Sequence, residues 1–197
     1  GALTNTSGTD ASGTADITVS NTGGVVTFKN SIGAAGANLA FGDLTLNAST
    51  TTVFDSTIDI SVLAANGTAT FNGAVTVDTT AALGNNSTIN IGQGFASGST
   101  IIAATGAVTD GAAITVVMPS DIISGQNLIV VSAASGIDGT YTATNTAMFT
   151  YATTLTGDTV ATITATERSS SAMAATLGTS SQEAETFSSA STALNAG

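Results

Sequence analysis

Thirteen carboxylates, two cations (Lys29 and Arg168), and no histidine or cysteine are the groups with which this 197-residue chain could do chemistry. The absence of His and Cys removes imidazole bases, thiolate nucleophiles, zinc fingers and disulfides. The many Ser and Thr hydroxyls therefore lack a histidine base. A Ser–Lys pair would have to use Lys29 with Ser31, two residues on along the same strand face. A solvated lysine on a strand edge explains that pair more simply. Paired carboxylates can cleave glycosidic bonds as acid and base or nucleophile. The candidates are Asp55 with Asp59, and Asp43 with a neighbour one coil away. β-Helical enzymes that cut polysaccharides usually add basic residues for sugar acids and aromatic platforms for the ring. With two cations, no Trp and two Tyr, the chain is expected not to be an enzyme, and no catalytic residue is assigned.

Calcium is the one metal that the ligand set suits, because it takes hard oxygen donors. Asp110-Gly111 and Ile137-Asp138-Gly139 could contribute to such loops. There is no D-x-D-x-D-G run and no glycine-rich nonapeptide repeat. Turn aspartates bonding their own backbone account for both segments, so no metal or cofactor-binding residue is assigned. Gly92-Gln93-Gly94 lacks the third glycine and following helix of a phosphate loop, and reads as a turn.

Charge limits the partners. The net charge is −11, and charged residues are 8% of the chain, against about 25% in ordinary domains. Two cations cannot neutralise a run of phosphates, so nucleic acid is not expected as a partner. No apolar run approaches the roughly 18 residues of a membrane-spanning helix, and the chain is not expected to span a membrane. The composition is 42% apolar, enough to form a core rather than a disordered chain. Scarce Lys and Arg, with abundant Thr, Ser, Ala, Gly and Asn, fit an extracellular or cell-surface bacterial location.

Short strands must position all these groups. Branched apolar residues alternate with Thr, Ser, Asn or Asp in Ile58–Val62, Val75–Val77, Ile89–Ile91, Ile114–Val116, Leu128–Val130 and Tyr141–Ala143. This is the period-2 pattern of strands with one wet face. Turn pairs such as Asn66-Gly67, Asn72-Gly73, Asp110-Gly111 and Gly157-Asp158 separate them. No segment between them has the length and periodicity of a crossover helix. An all-β domain over residues 16–166 follows, preceded by a small, polar lead-in at 1–15 that is either flexible or bridging.

Internal similarity favours a right-handed parallel β-solenoid over the alternative, a β-sandwich or jelly roll. Thr27-Phe28…Ile32, Val53-Phe54…Ile58 and Thr70-Phe71…Val75 share an F-x-x-x-I/V pattern. Ser56–Ile60 nearly recurs as Ser87–Ile91. Phe28, Phe54 and Phe71 are expected to stack inside successive coils. Threonine rows such as Thr68-Ala69-Thr70, Thr140–Thr144 and Thr162–Thr166 put hydroxyls on one strand face. Regular threonine ladders occur on ice-binding solenoids, but these units do not recur at one period in the sequence. High β-propensity with solubility explains them.

Residues 167–197 change character to an Ala/Ser/Thr-rich helical tail. Ser180-Ser181-Gln182-Glu183 is a capping box. Ala184, Phe187, Ala190 or Ser191, and Leu194 fall on one helical face, and a shorter preceding turn with Met173 and Leu177 closes at Gly178.

The F-x-x-x-I/V and S-T-I-D/N-I strands, the segment Asp43–Ala48 and the closing strand Gly157–Arg168 before an Ala/Ser/Asn-rich tail resemble the passenger region of bacterial autotransporter-like surface proteins. The resemblance implies a β-helical rod and no shared catalytic residues. Two roles are then expected. One is a structural protein of the cell surface or matrix, a homo-oligomer or polymer that self-assembles into a fibre, coat or layer through its terminal segments. The other is an adhesin segment that binds a host or surface glycan.

Overall fold

A computed structural model describes residues 16–34, 40–111 and 113–195, with the side chains of 191, 192, 194 and 195 outside the description. The lead-in 1–15 lies outside the described residues. Among the described residues the chain is mostly β, with a curled, mixed sheet and helices at its C-terminal side. The first strands are β1 (Ile17–Val19), β2 (Val26–Phe28), β3 (Phe41–Leu46), β4 (Thr51–Phe54), β5 (Ile58–Ala65) and β6 (Thr68–Phe71). Next come β7 (Val75–Val77), β8 (Ala81–Leu83), β9 (Thr88–Ile91), β10 (Thr100–Ala104), β11 (Val108–Asp110) and β12 (Ile114–Val117). β13 (Asn127–Ala133), β14 (Ile137–Asp138), β15 (Tyr141–Ala143), β16 (Phe149–Thr156) and β17 (Val160–Glu167) complete the set, followed by helices α1 (Ser170–Leu177) and α2 (Ser181–Asn195).

Every segment expected to be a strand from its alternation lies in one. Two sheets collect them. One holds β2, β4, β6, β9, β12 and β15 in spatial sequence. All its ladders are parallel. The other runs β1–β3–β5 and then divides, because β5 pairs with both β7 and β8. One branch continues through β10 and β13, the other through β11 and β14.

A single residue starts that division. Ile60 and Leu63 of β5 pair with Val77 and Ala81. Between the paired positions lie Ser61 and Val62 on β5 but Asp78, Thr79 and Thr80 on the next rung. The extra residue acts as a bulge and bends the chain. The Thr79 amide and hydroxyl both donate to the Ser61 carbonyl, at 3.0 and 2.6 Å. Later rungs keep the corner, since Val77 pairs with Ala104 and Ala81 with Val108.

The core lies between the sheets. Phe28, Phe54 and Phe71 stack as expected, with ring centroids 5.1 and 5.5 Å apart. The same register brings Ile32 to Ile58 and Ile58 to Val75. The F-x-x-x-I/V similarity thus marks equivalent positions on successive rungs. The similarity of Ser56–Ile60 to Ser87–Ile91 does not. Ile58 is in β5 and Ile89 in β9, strands of different sheets. Burial differs as well: β9 alternates buried and half-buried positions, whereas Ile58, Asp59 and Ile60 are all buried.

The first sheet is mixed rather than purely parallel, because its C-terminal side is antiparallel. β17 pairs antiparallel with β13 and β16 antiparallel with β17. Their turn is tight, with Gly157 and Asp158 both at positive φ (57° and 51°). Such turns match strand twist and let the chain reverse without a crossover. Beyond Glu167 the chain is helical. The Ser169 hydroxyl caps α1, and Gly178 ends it at φ 69°. Ser180 and Glu183 bond reciprocally at the start of α2, as the capping box requires. Ala184 packs with Met173, Ala174 and Met148. Phe187 does not follow Ala184 inward and is 57% exposed. Ser191 and Leu194 fall outside the described side chains.

Candidate functional site

The strands bring some of the expected carboxylates together and separate others. Asp43 meets Asp16 one rung away, and its amide donates to Asp16 Oδ1 at 3.0 Å. Burial, and then the Asp16 charge, raise the Asp43 carboxyl above its ordinary range. Asp55 and Asp59 lie on different elements. Asp55 sits in the corner after β4 and accepts from Asn72 Nδ2 at 2.9 Å. Asp59 is buried within β5. Lys29 is exposed beside half-buried Ser31.

Asp110 and Asp138 come closest to a functional constellation. β11 and β14 are adjacent, with Thr109 opposite Asp138. Asp138 Oδ1 accepts from the Asp110 amide at 2.7 Å. The two aspartates thus bond across rungs, whereas the sequence suggests local turns. Tyr141, buried in β15, donates its hydroxyl to Asp110 Oδ2. Asp110 Oδ1 is buried without a hydrogen-bond partner. Gly139 fits here because a Cβ would fall 2.4 Å from Asp110 Cβ. Burial, reinforced by the Asp138 charge and opposed by the Tyr141 bond, raises Asp110 to about 6. Burial and the Asp110 bond also raise the Tyr141 phenol. Among the described residues, no three acidic side chains come together as metal ligands. The Asp110 carboxyl and the Tyr141 phenol form one partly buried hydrogen-bonded pair here.

A second site was hidden by irregular spacing. Thr51, Thr68, Thr88, Thr115 and Thr142 occupy equivalent positions on five consecutive rungs of the second sheet. They point outward, since their neighbours Thr52, Ala69, Ile89, Val116 and Tyr141 are buried. A parallel row on the same face reads Thr27, Val53, Thr70, Asn90 and Val117. Asn90 Nδ2 donates to Thr70 Oγ1 across the rungs at 3.1 Å. No strand of this sheet carries a charged residue. The rung-to-rung offsets are 17, 20, 27 and 27 residues, so no period in the sequence reports the row. The T-x-T unit at 68–70 and Thr142 belong to this face, while Thr162–Thr166 lie on β17.

The tail leaves an apolar surface. Leu177 and Phe187 are 45% and 57% exposed. With Met118, Phe149 and Tyr151 they line a cavity of about 430 Å³. No helix among the described residues is long and apolar enough to cross a membrane. No protein-family model, curated protein or solved structure matches the chain.

Proposed function

We propose that the chain is a right-handed parallel β-solenoid closed by a hairpin and a helical tail. Its proposed role is structural and non-catalytic, at the bacterial cell surface or in the extracellular matrix. The observation that carries this reading is the continuous register through Phe28, Phe54 and Phe71. A stack of three phenylalanines in an otherwise aliphatic core, flanked by backbone ladders, supports a stiff rod without disulfides. The order of elements, with strands ending at Glu167 beside Arg168 and helices following, supports the likeness to an autotransporter-type passenger.

Self-assembly into a fibre, coat or layer proceeds through the terminal segments. The tail supports this with Leu177 and Phe187, which are costly to leave in water and help line the apolar cavity with Met118, Phe149 and Tyr151. Electron microscopy of the full chain tests the reading. Filaments or sheets with an axial repeat are expected, and Leu177→Ser with Phe187→Ser should disperse them. Separate short rods from the unsubstituted chain would overturn assembly. The alternative is an autotransporter-type adhesin segment that binds a host or surface glycan, and rods that stay separate yet bind a glycan would favour it.

A further inference from the structure

We infer that the threonine-lined outer face of the second sheet is an ice-binding surface, whose ligand is the ordered water lattice of an ice crystal. The inference does not depend on whether the rods assemble.

The row is more uniform than β-propensity requires, and the molecule supplies its own control. The equivalent outward row on the other sheet reads Thr18, Thr45, Ala64, Ala82, Thr109 and Asp138. Both rows have the same need for β-forming, water-compatible residues. One is mixed and ends in a charge. The other is threonine at all five positions, although loops of unequal length intervene.

Geometry turns that row into a two-dimensional array. Parallel rungs are about 4.8 Å apart, and alternate residues along a strand are about 6.6 Å apart. Thr68 and Thr70 place two hydroxyls on one rung, and Thr51, Thr88, Thr115 and Thr142 extend the first column. Hexagonal ice repeats its surface oxygens at spacings close to the first of these and somewhat longer than the second. Each threonine offers a methyl group, beside which water is orientationally restricted. Its hydroxyl supplies one donor and two acceptor sites to the same water. Val53 and Val117 continue the apolar contribution in the second column, and Val117 is 47% exposed.

Charge complementarity points the same way. The chain carries −11 overall, yet the six strands of this sheet carry no charge. An ionised side chain would hold its own hydration shell and disrupt a neutral lattice. A glycan would be better served by aromatic platforms, and this face presents none outward on β4, β6, β9, β12 or β15.

The test uses the full purified chain. Thermal hysteresis, inhibition of ice recrystallisation and partition into a growing ice front are measured for the unsubstituted chain. The same readouts are taken for Thr115→Lys and Thr142→Lys on the face, and for Thr45→Lys on the other sheet. Circular dichroism melting establishes that each is folded. Thr115 and Thr142 are both exposed, and the edge-rung Thr142→Lys reads out the same face if Thr115→Lys fails to fold. Activity in the unsubstituted chain and in Thr45→Lys, with loss in the face variants, is expected. No ice activity in the folded unsubstituted chain would overturn the inference. So would equal activity in a folded face variant, or retention on chitin or cellulose without any effect on ice.

Discussion

Asp110 illustrates how neighbours decide what one residue does. In an open turn its carboxyl would titrate near the ordinary aspartate value. Burial beside Asp138 instead lifts it to about 6, so the folded chain holds that proton more tightly than the unfolded one. The sign follows. The stabilising contribution is full below the unfolded value near 3.8 and is lost as pH rises through 6. Stability measured by urea unfolding should therefore rise as pH falls from 7.5 towards 4. Asp110→Asn should reduce that slope, leaving the smaller part due to Asp43, and stabilise the chain at pH 7.5 by about 1 kcal/mol, after discounting for partial solvent screening. An unchanged slope would mean that the carboxyl is fully solvated. The proximity of Asp110 to Asp138 was not legible from their sequence positions, because a separation of 28 residues brings them together only through the ladder between β11 and β14.

At the scale of elements, the tail and the closing hairpin behave differently from the stacked strands. The capping box was legible at once, because its four residues are contiguous. Ser180→Ala removes the hydroxyl that accepts from the Glu183 amide and should cost about 1 kcal/mol of α2 stability. Hydrogen exchange should show lost protection over 181–190 with the strands unchanged. The hairpin was less legible. Its last strand was visible as alternation, but its antiparallel pairing to β13 was not, since alternation is the same in either direction. β16 is an edge strand, and the chain covers part of that edge itself. Asn145 Oδ1 accepts from the Tyr151 amide at 2.8 Å and Thr146 Oγ1 from the Phe149 amide at 3.0 Å. Such cover blunts a template for unwanted strand addition.

For the whole molecule, net charge opposes the assembly proposed for it. Thirteen acids against two bases repel like subunits, and salt shortens that repulsion to about 10 Å at 0.1 M. Assembled particles should therefore disperse at low ionic strength when divalent cations are chelated, and re-form on adding salt. Light scattering before and after chelation checks this. Particles unmoved by chelator at low ionic strength would show that screening is not required.

Composition and local pattern alone determined that the chain is all-β, strongly acidic, without imidazole or thiol chemistry, and helical after residue 167. Each of those properties depends on residue type or on neighbours a few positions apart. The F-x-x-x-I/V similarity also reached the tertiary level, because a large aromatic side chain repeats only where the core has room for it. The tertiary structure alone decided the rest: the pairing of Asp110 with Asp138, the corner opened by one residue between Val77 and Ala81, and the alignment of five threonines on one face. These depend on register between rungs joined by loops of unequal length. Backbone hydrogen bonding and core packing set that register, and no fixed spacing in the sequence records it.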